Sequence, residues 1–191
     1  WWPRFQRIAR WFVAVEAELR SEVVETWTET SGRMALDAPG GAFWVNATAD
    51  RIDRCRDGAL AIIDYKTGKP PTTPEVESGA AQQLPLEAAI ARAGGFPGIA
   101  AGTPIAELCY WPLKGDDDGG NRCSVSGSGR KSSAAALAEA AELSLAQLVA
   151  TFDDPATPYA SQPRPHLAPR FSDYAHLARV REWAIESDEE E

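Results

Sequence analysis

The sequence has few of the side chains that most often build metal clusters or covalent-catalysis sites. Its 191 residues include three cysteines, two histidines and one methionine. No two cysteines form a CxxC pair, which disfavours a zinc or iron–sulfur site built from them. Neither histidine accompanies a Ser or Cys nucleophile motif, which disfavours triad chemistry. We therefore expect free thiols and a cytoplasmic protein.

Long apolar runs and phosphate-binding glycine loops are also missing. No run approaches the ~20 apolar residues of a membrane span, and no GxxxxGK[ST] motif marks a nucleotide-driven motor. The chain starts at Trp1, which we expect of a piece of a longer protein. Its net charge of -9 argues at first against nucleic-acid binding, but many of the acidic residues are concentrated in the segments 116–118 and 186–191. We expect 186–191 to be a solvated acidic tail.

The hydrophobic periodicity predicts the order helix, three strands, helix, strand, helix. The helices are predicted over 1–22, 82–92 and 132–152, and the strands over 23–37, 43–54, 59–66 and 105–113. Residues 115–130 are predicted to form a loop or a weak edge hairpin, and a short helix is predicted around 174–183. This order predicts an α/β (α+β) fold, with a central mixed sheet flanked by helices, in one domain over 1–185.

The second and third strands carry the residues with the clearest chemistry. Alternation along a strand puts Asp64 and Lys66 on one face, and a hairpin centred on Asp57 puts Asp50 opposite Asp64. A two-residue turn would bring Asp53 to that face instead, whereas a three-residue loop restores Asp50, and composition leaves both open. Two carboxylates this close repel unless a cation bridges them, and oxygen ligands favour Mg²⁺ or Mn²⁺.

Three segments resemble a known family: Ala-Asp-Arg-Ile-Asp over 49–53, Ile-Ile-Asp-Tyr-Lys-Thr-Gly-Lys over 62–69, and Gln-Leu-Pro-Leu-Glu-Ala-Ala-Ile over 83–90. The pattern resembles the PD-(D/E)XK nuclease superfamily with its restriction-endonuclease-like core, in the RecB-like branch. Within that branch it is similar to the C-terminal nuclease domain of AddB-type helicase–nuclease subunits of alphaproteobacteria. The segment over 171–180 is similar to the end of such chains.

The resemblance implies roles for four residues. Asp50 and Asp64 would ligate Mg²⁺ or Mn²⁺, which favours the register with Asp50. Lys66 would orient the attacking water or stabilise charge on the phosphate. Gln83 would help to place metal or DNA. The family often has Tyr four residues after this Gln, where the present sequence has Glu87.

A side chain from the first helix often completes such sites. Glu16 is the candidate metal ligand here, with Glu18 and Glu22 as alternatives. The competing interpretation of Glu16 is a solvated ion pair with Arg20 at i,i+4. Some relatives of this type hold an iron–sulfur cluster through C-terminal cysteines. We expect no cluster here, because no cysteine follows Cys123.

The implied activity is metal-dependent, exonuclease-type hydrolysis of single-stranded DNA in double-strand break repair and recombination, beside a partner subunit resembling AddA. Backbone contacts to DNA without sequence preference would come from basic residues, namely Arg51, Arg54, Lys69, Lys114, Arg130 and Lys131. The alternatives are a non-catalytic DNA-binding or subunit-docking domain with the nuclease fold, or another metal-assisted phosphoesterase.

Overall fold

The computed structural model describes residues 1–126, 131–160 and 176–177. Within them the helices are α1 (Trp2–Leu19), α2 (Thr73–Glu77), α3 (Gln83–Arg92) and α4 (Ala134–Asp153). The strands are β1 (Val23–Leu36), β2 (Phe43–Cys55), β3 (Leu60–Lys66), β4 (Ile105–Pro112) and β5 (Cys123–Ser124). The predicted elements are confirmed over this part of the chain.

Two short elements refine the prediction. The Glu75 carboxylate accepts hydrogen bonds of 2.7 Å from the amide and the hydroxyl of Thr72. These bonds stabilise the first turn of α2, a helix that the predicted order does not include. The strand β5 pairs with the edge of β4 over two residues, so of the two alternatives an edge hairpin is observed within the described part of 115–130, which ends at residue 126.

The five strands form one mixed sheet in the order β1-β2-β3-β4-β5. The β3–β4 pair is parallel, and the other neighbours are antiparallel. A parallel neighbour requires a crossover connection, which here contains α2 and α3. The predicted α/β fold with a central mixed sheet and flanking helices is therefore confirmed.

Helices cover both faces of the sheet, because adjacent strand residues point to opposite sides. On one face, Ile62 of β3 and Leu108 of β4 join the core cluster that contains residues of α3 and α4. On the other face, Ile63 and Cys109 pack with Val15 of α1 and with Trp111. Trp11 and Phe12 of α1 pack against these residues as well, whereas Phe5 nearer the start of the helix is exposed.

The hairpin between β2 and β3 sets the register of the site. The amide of Cys55 donates to the carbonyl of Ala59 at 2.8 Å, which encloses a three-residue loop. Gly58 in this loop has φ +85, a conformation that glycine adopts without strain. Arg51 pairs with Ile63, so Asp50 lies across from Asp64. The alternative register with Asp53 at this position is not the observed one.

Among the residues that the structure describes, α4 is long and apolar enough to cross a membrane, by length and composition only. This length and composition differ from the expectation that no apolar run of the chain approaches a membrane span. In the structure, Ala134, Leu137, Ala138 and Ala141 of this helix are buried in the core cluster or beside it. A helix of a folded core meets the same criterion.

The chain divides into two compact units, Trp1–Ala150 and Thr151–Glu191. The predicted helix around 174–183 and the predicted acidic tail at 186–191 fall almost entirely outside the described residues. The single domain over 1–185 therefore stays a prediction.

Candidate functional site

Asp50 lies where β2 and β3 stop pairing. The ladder between them runs from Arg54 and Leu60 to Arg51 and Ile63. Beyond it, the Oδ2 atom of Asp50 accepts a hydrogen bond of 2.9 Å from the amide of Tyr65. The side chain therefore takes the place of a backbone acceptor, which holds its carboxylate at the opening between the strands.

The neighbouring strand is also irregular at this point. Thr28 and Thr30 of β1 pair with Arg51 and Ala49, so Glu29 lies across from Asp50. Glu29 has φ +48, which is uncommon for a residue other than glycine. Such a conformation persists only where the surrounding structure enforces it, and functional sites are where it concentrates.

Asp64, Lys66 and Gln83 form a closed set of polar contacts beside Asp50. The ammonium of Lys66 lies 3.0 and 2.8 Å from the two carboxylate oxygens of Asp64. It also donates to the amide oxygen of Gln83 at 2.8 Å. The Gln83 amide nitrogen completes the triangle by donating to Asp64 Oδ1. The end of β3 and the start of α3 are thus joined through charged and amide groups.

Burial shapes the electrostatics of Asp64, which is only 2% exposed. Loss of hydration raises the pKa of this carboxyl above its ordinary value. The hydrogen bond and charge of Lys66 oppose this shift, while the negative charge of Asp50 adds to it. A buried carboxylate with another at its side is stabilised by added positive charge, which is the condition that a cation site requires.

Two further polar residues in this region were not singled out from the sequence. Glu87 lies one turn after Gln83 on α3, is 2% exposed, and finds no hydrogen-bond partner for Oε2 among the described residues. Burial raises the pKa of Glu87 to about 7. The hydrogen bond from Gln83 lowers this pKa, and the negative charges of Asp64 and Asp50 raise it further. The helix pattern in the sequence could have identified Glu87, because it is a charged residue on an otherwise apolar helix face that includes Leu84 and Ala88.

The second of these residues is Tyr110. It pairs with Asp64 in the parallel β3–β4 ladder. Its hydroxyl is buried and has no hydrogen-bond partner in the part of the chain that the structure describes. Burial raises the pKa of this hydroxyl, and the charges of Asp64 and Glu87 raise it further. Tyr110 therefore lies close enough to both carboxylates for their charges to act on it.

The structure corrects the placement of Glu16. Its carboxylate accepts hydrogen bonds from the guanidinium of Arg51, on the side of the sheet where Val15 of α1 packs with Ile63 and Trp111. Arg51 in turn pairs with Asp53 at 2.8 Å. The structure therefore brings Glu16 to Arg51 instead of the Asp50–Asp64 pair, and within the described residues its ion pair is with Arg51 instead of Arg20.

Arg51 is also placed differently from the expected DNA contact. It is 4% exposed, and its guanidinium lies 5.2 Å from the centre of the Trp111 ring. Burial alone would lower the pKa of Arg51, but the hydrogen bonds to Asp53 and Glu16 outweigh this effect and raise it. Because its guanidinium is buried and donates to Asp53 and Glu16, Arg51 is not accessible to a DNA backbone.

The other basic candidates lie at or near the surface. Arg54 pairs with Glu25 at 2.8 Å and stacks over Trp27. Lys69, Lys114 and Lys131 are exposed, and Arg130 lies outside the described residues. The structure brings none of these four described side chains into the contacts around Asp64.

The chemistry of the donor set fits a divalent cation. Asp50 and Asp64 offer carboxylate oxygens at one end of the sheet, and the buried Oε2 of Glu87 is without a partner nearby. Such hard oxygen donors match the preference of Mg²⁺ and Mn²⁺. Over 1–126, 131–160 and 176–177, no group of three His, Cys, Asp or Glu side chains is arranged to hold a metal. The candidate ligands are therefore the Asp50–Asp64 pair.

Comparison with known proteins places this geometry in a family. The family model of the PD-(D/E)XK nuclease superfamily matches residues 1–166. An uncharacterized protein of Rickettsia felis is 31% identical over 96 residues, which are 50% of this chain and 11% of that protein. An uncharacterized protein of Rickettsia bellii is 28% identical over 109 residues, which are 57% of this chain and 13% of that protein.

The matched segments thus span only 11% to 13% of the length of these two curated relatives. The family model, in contrast, covers well over half of the chain and includes every residue of the cluster around Asp64. This chain belongs to the PD-(D/E)XK nuclease superfamily.

Proposed function

We propose that this chain is a metal-dependent deoxyribonuclease domain that hydrolyses phosphodiester bonds of single-stranded DNA by exonuclease-type cleavage. The observation that carries the proposal is the closed contact of Asp64, Lys66 and Gln83 beside Asp50. The superfamily is one of nucleases, and this cluster supplies the acidic and basic groups that such hydrolysis needs.

Asp50 and Asp64 would hold Mg²⁺ or Mn²⁺, since nucleases of this superfamily generally use divalent metal ions. A bound divalent cation supplies positive charge to phosphate oxygens and lowers the pKa of water. The protein contributes a fixed geometry: Asp50 is held by the Tyr65 amide, and Asp64 is held by Lys66 and Gln83.

Lys66 would stabilise the negative charge that develops on the phosphate. Its side chain is 29% exposed, so part of this side chain is accessible to DNA that approaches from the solvent. A positive group fixed before the reaction stabilises charge without reorganising in the transition state. Gln83 would keep this ammonium next to Asp64 through its amide oxygen.

We further infer a role in double-strand break repair and recombination, as a cytoplasmic helicase–nuclease domain beside a subunit resembling AddA. The resemblance of 49–53, 62–69 and 83–90 to AddB-type nuclease domains supports this role. The small share of the Rickettsia proteins that is matched is expected of one domain within a larger enzyme. The exposed Lys69, Lys114 and Lys131 would contact the DNA backbone without reading sequence.

Digestion of end-labelled single-stranded DNA tests the proposal. We expect cutting with Mg²⁺ or Mn²⁺, none in EDTA, and none by a folded Asp64→Ala variant. A folded wild-type chain that neither cuts DNA nor binds Mn²⁺ in calorimetry would contradict the proposal and support a docking domain. Binding of Mn²⁺ without cutting would indicate that the partner subunit is required.

A further inference from the structure

Glu87 is a buried carboxylate to which the mechanism above gives no role. It is 2% exposed, and its neighbours Leu84, Ala88 and Ala91 on α3 are apolar and buried. In the part of the chain that the structure describes, no ion pair includes Glu87. Burial of a carboxylate without a cationic partner destabilises a fold, because hydration is lost without compensation. A residue that breaks the local apolar pattern in this way calls for a functional explanation.

Glu87 accepts a hydrogen bond from Gln83, which connects it to the residues of the site. The amide nitrogen of Gln83 donates to Glu87 Oε1 at 3.3 Å, across the i,i+4 spacing of one helix turn. The same nitrogen donates to Asp64, while the amide oxygen of Gln83 accepts from Lys66 at 2.8 Å. The nitrogen end of this amide therefore lies between two carboxylates, and its oxygen end lies against an ammonium.

This arrangement fixes which way the amide points. In the reversed orientation, the amide oxygen would face the carboxylates of Asp64 and Glu87, and the amide nitrogen would face the ammonium of Lys66. Both contacts would be repulsive, because acceptors would meet acceptors and donors would meet donors. Glu87 thus adds a second acceptor that favours the orientation in which Gln83 connects Lys66 to Asp64.

We propose that Glu87 is a positioning residue of phosphodiester hydrolysis, which acts through Gln83 to keep Lys66 and Asp64 in their reactive arrangement. The inference rests on the proposed nuclease function and adds a residue to it. It also makes a distinctive claim, because Glu87 would favour the reaction while it destabilises the fold. A residue with a purely structural role would show the opposite effect on stability when replaced.

The test replaces Glu87 by an apolar residue of similar size and compares it with a matched control on the same helix. For Glu87→Met we expect kcat of Mn²⁺-dependent DNA digestion to fall about 10-fold or more, with KM for DNA changed less than about 2-fold. The urea midpoint of unfolding in EDTA should be unchanged or higher. The control Ile90→Val, also buried on α3, should lower the midpoint and leave kcat unchanged.

A double-mutant cycle separates action through Gln83 from any independent effect. In a Gln83→Ala background, Glu87→Met should cause no further loss of kcat, because the group through which it acts is gone. Losses that multiply in the double variant would overturn the inference. So would a Glu87→Met variant that unfolds, or that is less stable than wild type.

The same assay distinguishes failure of this inference from failure of the proposed function. Equal kcat for wild type and Glu87→Met overturns the inference alone, since the nuclease activity is then established. A folded wild-type chain that neither cuts DNA nor binds Mn²⁺ overturns the proposed function, and the role of Glu87 falls with it.

Discussion

The Oδ2 atom of Asp50 accepts a hydrogen bond of 2.9 Å from the amide of Tyr65, at the place where β2 and β3 separate. One side chain thereby closes the end of a strand ladder and presents a carboxylate next to Asp64. The structural effect depends on a hydrogen-bond acceptor, whereas the proposed metal contact depends on negative charge. Substitutions that remove one property and keep the other can separate the two.

Asp50→Asn should keep the fold and lose the activity. The Asn side chain retains an oxygen that can accept from the Tyr65 amide, so the free energy of unfolding should stay near that of wild type. Asp50→Ala removes this acceptor and should cost about 1 kcal/mol of stability. Both variants should cut DNA about 100-fold more slowly. Urea unfolding in EDTA and DNA digestion measure the two effects, and equal destabilisation by both variants would refute the structural role.

Lys66 and the nearby Lys69 should differ in the kinetic parameter that they control. Lys66→Met should lower kcat about 100-fold, because its ammonium lies at Asp64 and Gln83 where the phosphate would react. Lys69 is exposed, and Lys69→Met should raise KM for DNA at low salt with little change in kcat. Steady-state kinetics at two salt concentrations would show this split. A Lys66→Met effect confined to KM would place this residue in DNA binding alone.

The stability of the metal-free protein should fall as the pH rises, because of Glu87. Burial raises its pKa to about 7 from an ordinary value of 4.5. A carboxyl that holds its proton more tightly in the folded state contributes stability that is fully present below the unfolded pKa and is lost as the pH rises through about 7. In EDTA, wild type should lose on the order of 2–3 kcal/mol more than Glu87→Gln between pH 4.5 and pH 8.

Urea unfolding of both proteins across this pH range measures the difference. The Glu87→Gln variant is the matched control, because it is isosteric and does not titrate. Parallel stability curves for the two proteins would show that the pKa of Glu87 is the same in the folded and unfolded states, which would contradict the burial argument.

The contacts of Arg51 predict a stability effect without a catalytic one. Asp53 is 1% exposed and bonds to Arg51 and Thr26, so Arg51→Ala would leave a buried carboxylate without its cation. We expect a loss of about 3–5 kcal/mol. Glu16 is partly exposed, and Glu16→Gln should cost at most about 1 kcal/mol and leave kcat unchanged. A large loss of kcat in a stable Glu16→Gln variant would instead place Glu16 in the metal site.

Much of the fold could be predicted because local patterns and tertiary contacts agree. The strand alternation that puts Asp64 and Lys66 on one face of β3 agrees with the contact between these two side chains in the structure. The turn at Asp57 was the uncertain point, because a change of one residue in loop length reverses the face of Asp50 relative to Asp64. The left-handed Gly58 and the pairing of Cys55 with Ala59 select the three-residue loop.

The site was harder to predict where long-range contacts decide. The hydrophobic periodicity of the sequence places Glu16 on a helix. Only the packing of α1 in the structure shows that Arg51 of β2 donates a hydrogen bond to it. Arg51 appears as a surface charge in the sequence, because nothing local shows that Trp111 and Glu16 contact it. The helix pattern marks Glu87 as a charged residue on an apolar face, but it does not reveal that Gln83 connects this residue to Asp64 at the end of β3.

The most direct test of the central claim is single-turnover digestion of 5′-labelled single-stranded DNA with Mn²⁺. Wild type should be compared with Asp64→Asn and with the control Asp57→Asn, which changes a carboxylate in the β2–β3 loop where its Oδ1 accepts from the Ala59 amide. The account predicts cutting by wild type and Asp57→Asn, and at least about a 100-fold loss for folded Asp64→Asn. Undiminished cutting by Asp64→Asn would contradict the assignment of this site.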